Sequence, residues 1–238
     1  MPRLRIFSSR RPAGTWLWAA VAVSLVVSVT PWAQFLLYPF KLFTTWVHES
    51  GHALMTVLVG GRVTSIAIEP DSSGLTQSFV PASRAARGLV ASSGYLGAAV
   101  VGCLLMAATR VEKWAHLILL SLGACLLLTL ALWIRNAFGV GVVLAWGVAL
   151  VALARRGNGN APRFLLSLLA IQVALNSVYD IRVLFLIDRG RSDAATMARL
   201  FLLPSWVWAT AWMLMSVGML GATLWLTRGG RRTSLIWM

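Results

Sequence analysis

Long apolar runs separated by short arginine clusters leave this chain few ways to fold. Residues 15–30, 88–109, 114–134, 137–154, 164–187 and 205–227 are apolar almost throughout. A helix needs about 20 such residues to cross a bilayer. Backbone inside hydrocarbon must satisfy its own polar groups, so runs of this length are read as helices. Only 12% of the 238 residues are charged, against roughly 25% in soluble domains. The runs predict an all-α polytopic membrane protein with about six transmembrane helices, within a range of five to seven.

The net charge of +14 invites a nucleic-acid reading, but the placement of the arginines argues against it. Arg3, Arg5, Arg10 and Arg11, then Arg155, Arg156 and Arg163, then Arg228, Arg231 and Arg232 all flank or separate apolar runs. That is the footprint of cytoplasmic loops under the positive-inside rule. No nucleic-acid partner is expected. The lipid bilayer is the expected surroundings and a cell membrane, crossed several times, the expected location. The chain then divides into a basic cytoplasmic N-terminus (1–14), one membrane-embedded unit (15–227) and a basic tail (228–238). Its opening has the basic-then-apolar form of a signal peptide, yet no convincing A-x-A site follows, so a retained anchor is expected. Counting residues 32–60, five apolar runs precede Arg155, whereas the basic clusters ask for an even number of crossings. One run is therefore expected to be re-entrant, interfacial or merged, and 32–60 is a candidate. Cys103 and Cys125 lie in apolar segments and suggest no disulfide framework.

Within residues 32–60 stands the pentad His48-Glu49-Ser50-Gly51-His52. On a helix, positions i and i+4 share a face. H-E-x-x-H thus lets two imidazoles hold one Zn²⁺ while the carboxylate between them serves as general base. Two of only three histidines and one of only seven acids occupy this motif. Burying that trio without purpose would be costly, so bound Zn²⁺ is expected. Gly60-Gly61 ends the helix. Residues 62–83 change character, with two β-prone runs around Asp71-Ser72-Ser73-Gly74, which predicts a small β-hairpin after the pentad helix. Val63, Ile66 and Ile68 are candidates for a strand that receives an extended peptide; a plain connecting loop is the alternative. Residues 88–109 begin with small residues and are expected to pack closely on the pentad helix.

A catalytic zinc takes three protein ligands and keeps one open position. Asp180 is the leading candidate for the third ligand, as the one acid well inside an apolar run, where an unpaired carboxylate needs a cation. An ion pair with Arg182 or another arginine is the alternative. Asn176, one turn earlier, is placed to support the site or hold a substrate carbonyl. Asp193 is the runner-up ligand; otherwise it is a solvated first-turn residue after the N-cap Ser192. His116, near the end of a run, is read as an interfacial or packing residue. Thr44, Thr45 and Ser50 are candidates for a water path to the pentad.

His48-Glu49-Ser50-Gly51-His52-Ala53 in a membrane segment resembles the site-2 protease family of intramembrane zinc metallopeptidases, in its short peptidase-B-like branch. Gly60-Gly61-Arg62-Val63, Pro70-Asp71-Ser72-Ser73-Gly74, Gly94-Tyr95-Leu96-Gly97, Tyr179-Asp180 and Ser192-Asp193-Ala194 resemble it too. The likeness covers roughly 41–204. It implies that His48, His52 and a later aspartate bind zinc and that Glu49 is the catalytic acid/base. Asp180 best matches that aspartate, although Ile181 follows it where better-known members have glycine. The implied activity is zinc-dependent cleavage of transmembrane protein or peptide substrates, without a PDZ-like insert. A non-proteolytic metal-binding membrane protein or pseudo-protease scaffold is the alternative.

Overall fold

The computed structural model describes residues 14–30, 35–111, 114–157, 160–186 and 192–228. The N-terminal arginines, Asp188, Arg231, Arg232 and the side chains of Arg182 and Arg228 lie outside the described residues. Ten elements follow one another: α1 (Gly14–Val29), α2 (Tyr38–Leu58), β1 (Arg62–Ile68), β2 (Gly74–Phe79), α3 (Arg84–Ala108), α4 (Ala115–Leu132), α5 (Ala137–Arg156), α6 (Ala161–Leu186), α7 (Asp193–Phe201) and α8 (Ser205–Arg228). Five of the helices, α3, α4, α5, α6 and α8, are long and apolar enough to cross a membrane. The all-helical expectation holds, with one two-stranded antiparallel sheet, β1 against β2.

The pentad helix α2 is not among those five. It starts at Tyr38 rather than near Trp32, with a proline in its first turn. Pro39 lacks an N–H, and the N–H groups of a helix's first turn have no partner within the helix, so proline is tolerated there. At the other end Gly60 takes φ +79°, the left-handed conformation that glycine adopts without a Cβ penalty. The chain then turns into β1.

The helices meet through small residues and a few polar contacts. A Cβ on Gly51 would lie 2.5 Å from the Ser93 carbonyl oxygen, so α2 and α3 approach nearly backbone to backbone. Trp46 donates from Nε1 to Thr129 Oγ1 of α4 (2.8 Å). Gln172 of α6 donates to Ser24 of α1 (3.0 Å). Inside a bilayer such bonds average about 0.6 kcal/mol, so their main effect is on register. The core gathers Phe43, Ile66, Ile68, Leu119, Leu126, Leu150, Leu166 and Leu169, all fully buried. Leu104, Leu117, Leu128, Leu214 and Trp225 point outward, as lipid-facing residues do.

The hairpin sits on α2. Ile66 pairs with Thr76 and Ile68 with Gly74, with a bulge between Val63 and Ser65. Ser72 in the turn has φ 69°. Asp71 Oδ1 accepts from the Ser73 amide (2.9 Å). Hydrogen bonds from Ser73 hold the Asp71 carboxyl below its ordinary range, as expected when donors favour the charged form. The far edge of β1 is already occupied by the α4–α5 connection. Ile66 donates to Trp133 O (2.7 Å) and accepts from Arg135 N (3.2 Å). Ile68 donates to Asn136 Oδ1 (3.2 Å) and accepts from Asn136 Nδ2 (2.6 Å). Among the described residues no strand pairs with the outer edge of β2. The hairpin therefore forms as the sequence predicts, but Val63, Ile66 and Ile68 are core residues on a closed strand. Among the described residues, the unpaired edge of the sheet belongs to β2.

Candidate metal centre

Thr45, Glu49, His52 and Thr56 recur at helical spacing and give α2 one polar face. His48 and His52, one turn apart, bring their Nε2 atoms to 3.0 Å. Asp193 arrives from α7, and its Oδ2 lies 3.3 Å from His48 Nε2 and 3.2 Å from His52 Nε2. These residues form the one cluster of metal-ligating side chains among those described. Tetrahedral zinc with bonds of about 2.0–2.1 Å spaces its donors by roughly 3.3–3.4 Å, close to this triangle.

Three further observations support the fit. His52 Nδ1 lies 2.7 Å from the Val90 carbonyl oxygen. A carbonyl only accepts, so the partner assigns the proton to Nδ1 and leaves the Nε2 lone pair for a metal. Gly94 of α3 faces both Nε2 atoms; a Cβ there would come within 2.5 Å of His52 Nε2 and overlap His48 as well. Burial would push the Asp193 carboxyl up, but the two imidazoles hold it well below the ordinary range, so the oxygen offered is anionic. The donor set therefore suits a divalent zinc ion.

Local sequence explains how Asp193 reaches the site. Ser192 caps α7, accepting from the Ala195 amide (3.1 Å). Ala194, Ala195 and Met197 are buried, and this inward face carries the first-turn carboxylate to α2. A carboxylate there is also favoured by the helix dipole.

Of the two aspartates considered from sequence, the runner-up Asp193 joins the histidines and Asp180 does not. Asp180 lines the cavity of about 690 Å³ that holds the histidines, and an adjoining one of about 300 Å³ with Lys41, Asn176, Tyr179 and Ser72. Lys41 lines the smaller cavity with it, and Asp180 is not part of the metal-ligating cluster. Asn176 lines only the smaller cavity and donates to Thr44 Oγ1 (3.4 Å), so it does not touch the cluster. Thr45 borders both cavities; Thr44 and Ser50 border neither of them. His116 stands apart from the cluster, its Nδ1 2.9 Å from Ala154 O.

Glu49 is buried and lines the large cavity beside both histidines. Its Oε2 accepts from Thr76 Oγ1 of β2 (2.7 Å). Tyr95 packs its ring edgewise on His48, centroids 4.6 Å apart, and stacks on Trp212 at 5.2 Å. Thr76 carries no motif of its own, and Tyr95 entered only through the Gly94-Tyr95-Leu96-Gly97 resemblance. Gly94 was legible as one of many small residues and as part of that stretch, but not as a neighbour of the ligands.

Gly94→Ala is expected to reduce zinc affinity by at least the roughly 10–100-fold typical of residues that support metal ligands. Overpacking would add about 1–3 kcal/mol of destabilisation. Metal content by mass spectrometry and Tm in detergent separate the two effects. Full zinc occupancy in the variant would show that the methyl does not enter the ligand space.

A family model described as Peptidase M50B-like matches residues 17–223, nearly the whole chain. No curated protein and no solved structure matches it significantly.

Proposed function

The chain belongs to the Peptidase M50B-like family, within the site-2 proteases, and on that premise we propose that it is an intramembrane zinc metalloprotease acting on transmembrane substrates. The observation that carries this reading is the juxtaposition of Glu49 with the His48–His52–Asp193 triangle in one cavity. Structural zinc has no use for an extra carboxylate, whereas hydrolysis does.

His48, His52 and Asp193 would hold the ion, with residues 15–227 as the working unit between basic flanks. When bound, zinc supplies a Lewis acid that acidifies water and polarises a carbonyl. Glu49 takes a proton from the attacking water as its oxygen bonds to the scissile carbonyl carbon. It returns that proton to the amide nitrogen as the C–N bond breaks, which leaves the carboxylate ready for another turn. The open edge of β2, bordering the cavity from Gly74 to Val80, offers backbone groups that hold an unwound substrate segment extended. Asp193 fixes the distance between α7 and α2, and Thr45 lines a polar route between the two cavities.

The test uses the full chain reconstituted with zinc and a peptide containing an apolar segment with a helix-weakening residue. Cleavage is expected, to stop on chelation and to return with added Zn²⁺. A protein that binds zinc stoichiometrically yet cleaves none of a panel of such peptides is a metal-binding scaffold instead.

A further inference from the structure

We propose that Thr76 is a positioning residue for hydrolysis, with the hairpin strand rather than the pentad helix fixing the direction of the Glu49 carboxylate. This rests on the protease reading above. Glu49 hangs from α2 on a flexible stem of three rotatable bonds, and a general base must hold its oxygen within hydrogen-bond reach of the proton it takes. Nothing in the H-E-x-x-H spacing fixes those torsions.

The strand does. Thr76 Oγ1 stands 2.7 Å from Glu49 Oε2 and 3.1 Å from the Glu49 backbone oxygen. A hydroxyl has one proton, and the charged acceptor at the shorter distance takes the stronger bond. The other carboxylate oxygen is confined by Gly74. A Cβ on that residue would lie 2.5 Å from Glu49 Oε1 and 2.6 Å from its Cγ. One strand thus holds Oε2 by a hydrogen bond and limits Oε1 by close approach.

The strand is itself anchored to α2 on either side of this contact. Thr45 Oγ1 donates to Ser72 O in the turn (2.8 Å). Thr56 Oγ1 donates to Ser78 Oγ (3.3 Å). Gly74, Thr76 and Ser78 are the half-buried positions of β2, alternating with exposed Leu75, Gln77 and Phe79. The inward row therefore addresses the base while the strand's outer edge remains open. Docking of a substrate strand and aim of the base are set by the same six residues of β2.

Thr76→Val keeps shape and strand preference but removes the hydroxyl; Thr76→Ser retains it. In reconstituted protein, Thr76→Val is expected to lower kcat by about 10- to 100-fold, the range for losing a hydrogen bond to a charged group. KM and zinc content should stay near wild type, and Thr76→Ser should restore most of kcat. A second readout needs no metal and no turnover. In metal-free protein, the carboxylate stretch identified by its loss in Glu49→Gln should shift in Thr76→Val and not in Thr76→Ser. An unmoved band, or wild-type kcat in Thr76→Val, overturns the positioning role while leaving the protease reading intact. If wild type itself fails to cleave, the protease reading falls, and the role of Thr76 in turnover falls with it.

Discussion

Asp193→Asn is expected to empty the metal site, and Asp180→Asn to leave it full. Asn is neutral and offers only a weakly donating amide oxygen where an anionic one now lies 3.2–3.3 Å from both imidazoles. Residues that merely support metal ligands change affinity by roughly 10–100-fold, so removal of one of only three ligands should exceed that range. Hydrolysis should fall with occupancy. Asp180→Asn alters a cavity wall shared with Lys41 and should keep zinc affinity within about threefold, below the range for a supporting residue. Zinc content of the purified proteins, together with competition against a chromophoric chelator, reads both effects. The reverse pattern, with Asp180→Asn empty and Asp193→Asn full, would mean that α6 rather than α7 closes the working site.

Glu49→Gln separates binding from chemistry. Glutamine keeps the size of the side chain and can still bond to Thr76, so zinc content and Tm should match wild type. An amide accepts no proton from water at neutral pH. General-base catalysis contributes typically 10²–10⁴-fold, and cleavage of a reconstituted transmembrane peptide should drop by about that factor. A variant that retains zinc and cleaves at the wild-type rate would remove Glu49 from the mechanism and leave the cavity without a base.

What the sequence made legible is what it writes locally. Apolar runs marked the spans within a few residues. Gly60-Gly61 marked the end of α2, and Asp71 to Gly74 marked a turn. The start of α2 was less legible, because apolar character continues upstream of Tyr38, where the helix begins. The third carboxylate was harder still. Asp180 stood out because it interrupts an apolar run, but the polar cavity that accommodates it is built by residues from α2, the hairpin turn and α6. Asp193 depends on the rotation of a nine-residue helix, and the signal lay in small apolar neighbours that only packing could explain. The hairpin taught a similar lesson. Val63, Ile66 and Ile68 looked suited to strand addition because they are β-branched and apolar, yet that apolarity is what carries them into the core. The polar partner strand remains at the open edge.

Asn136 gives the hairpin a property that neither strand has alone. Its side-chain amide both donates to and accepts from Ile68, mimicking a peptide group, and so shuts the far side of the sheet. An exposed strand edge is ordinarily a template for indefinite growth. With one side sealed by a residue that cannot extend further, the sheet has a valence of one: it can take a single guest chain, and a second hairpin cannot extend it from behind. If substrate docks on β2 as proposed, that makes the site a terminal acceptor rather than a seed.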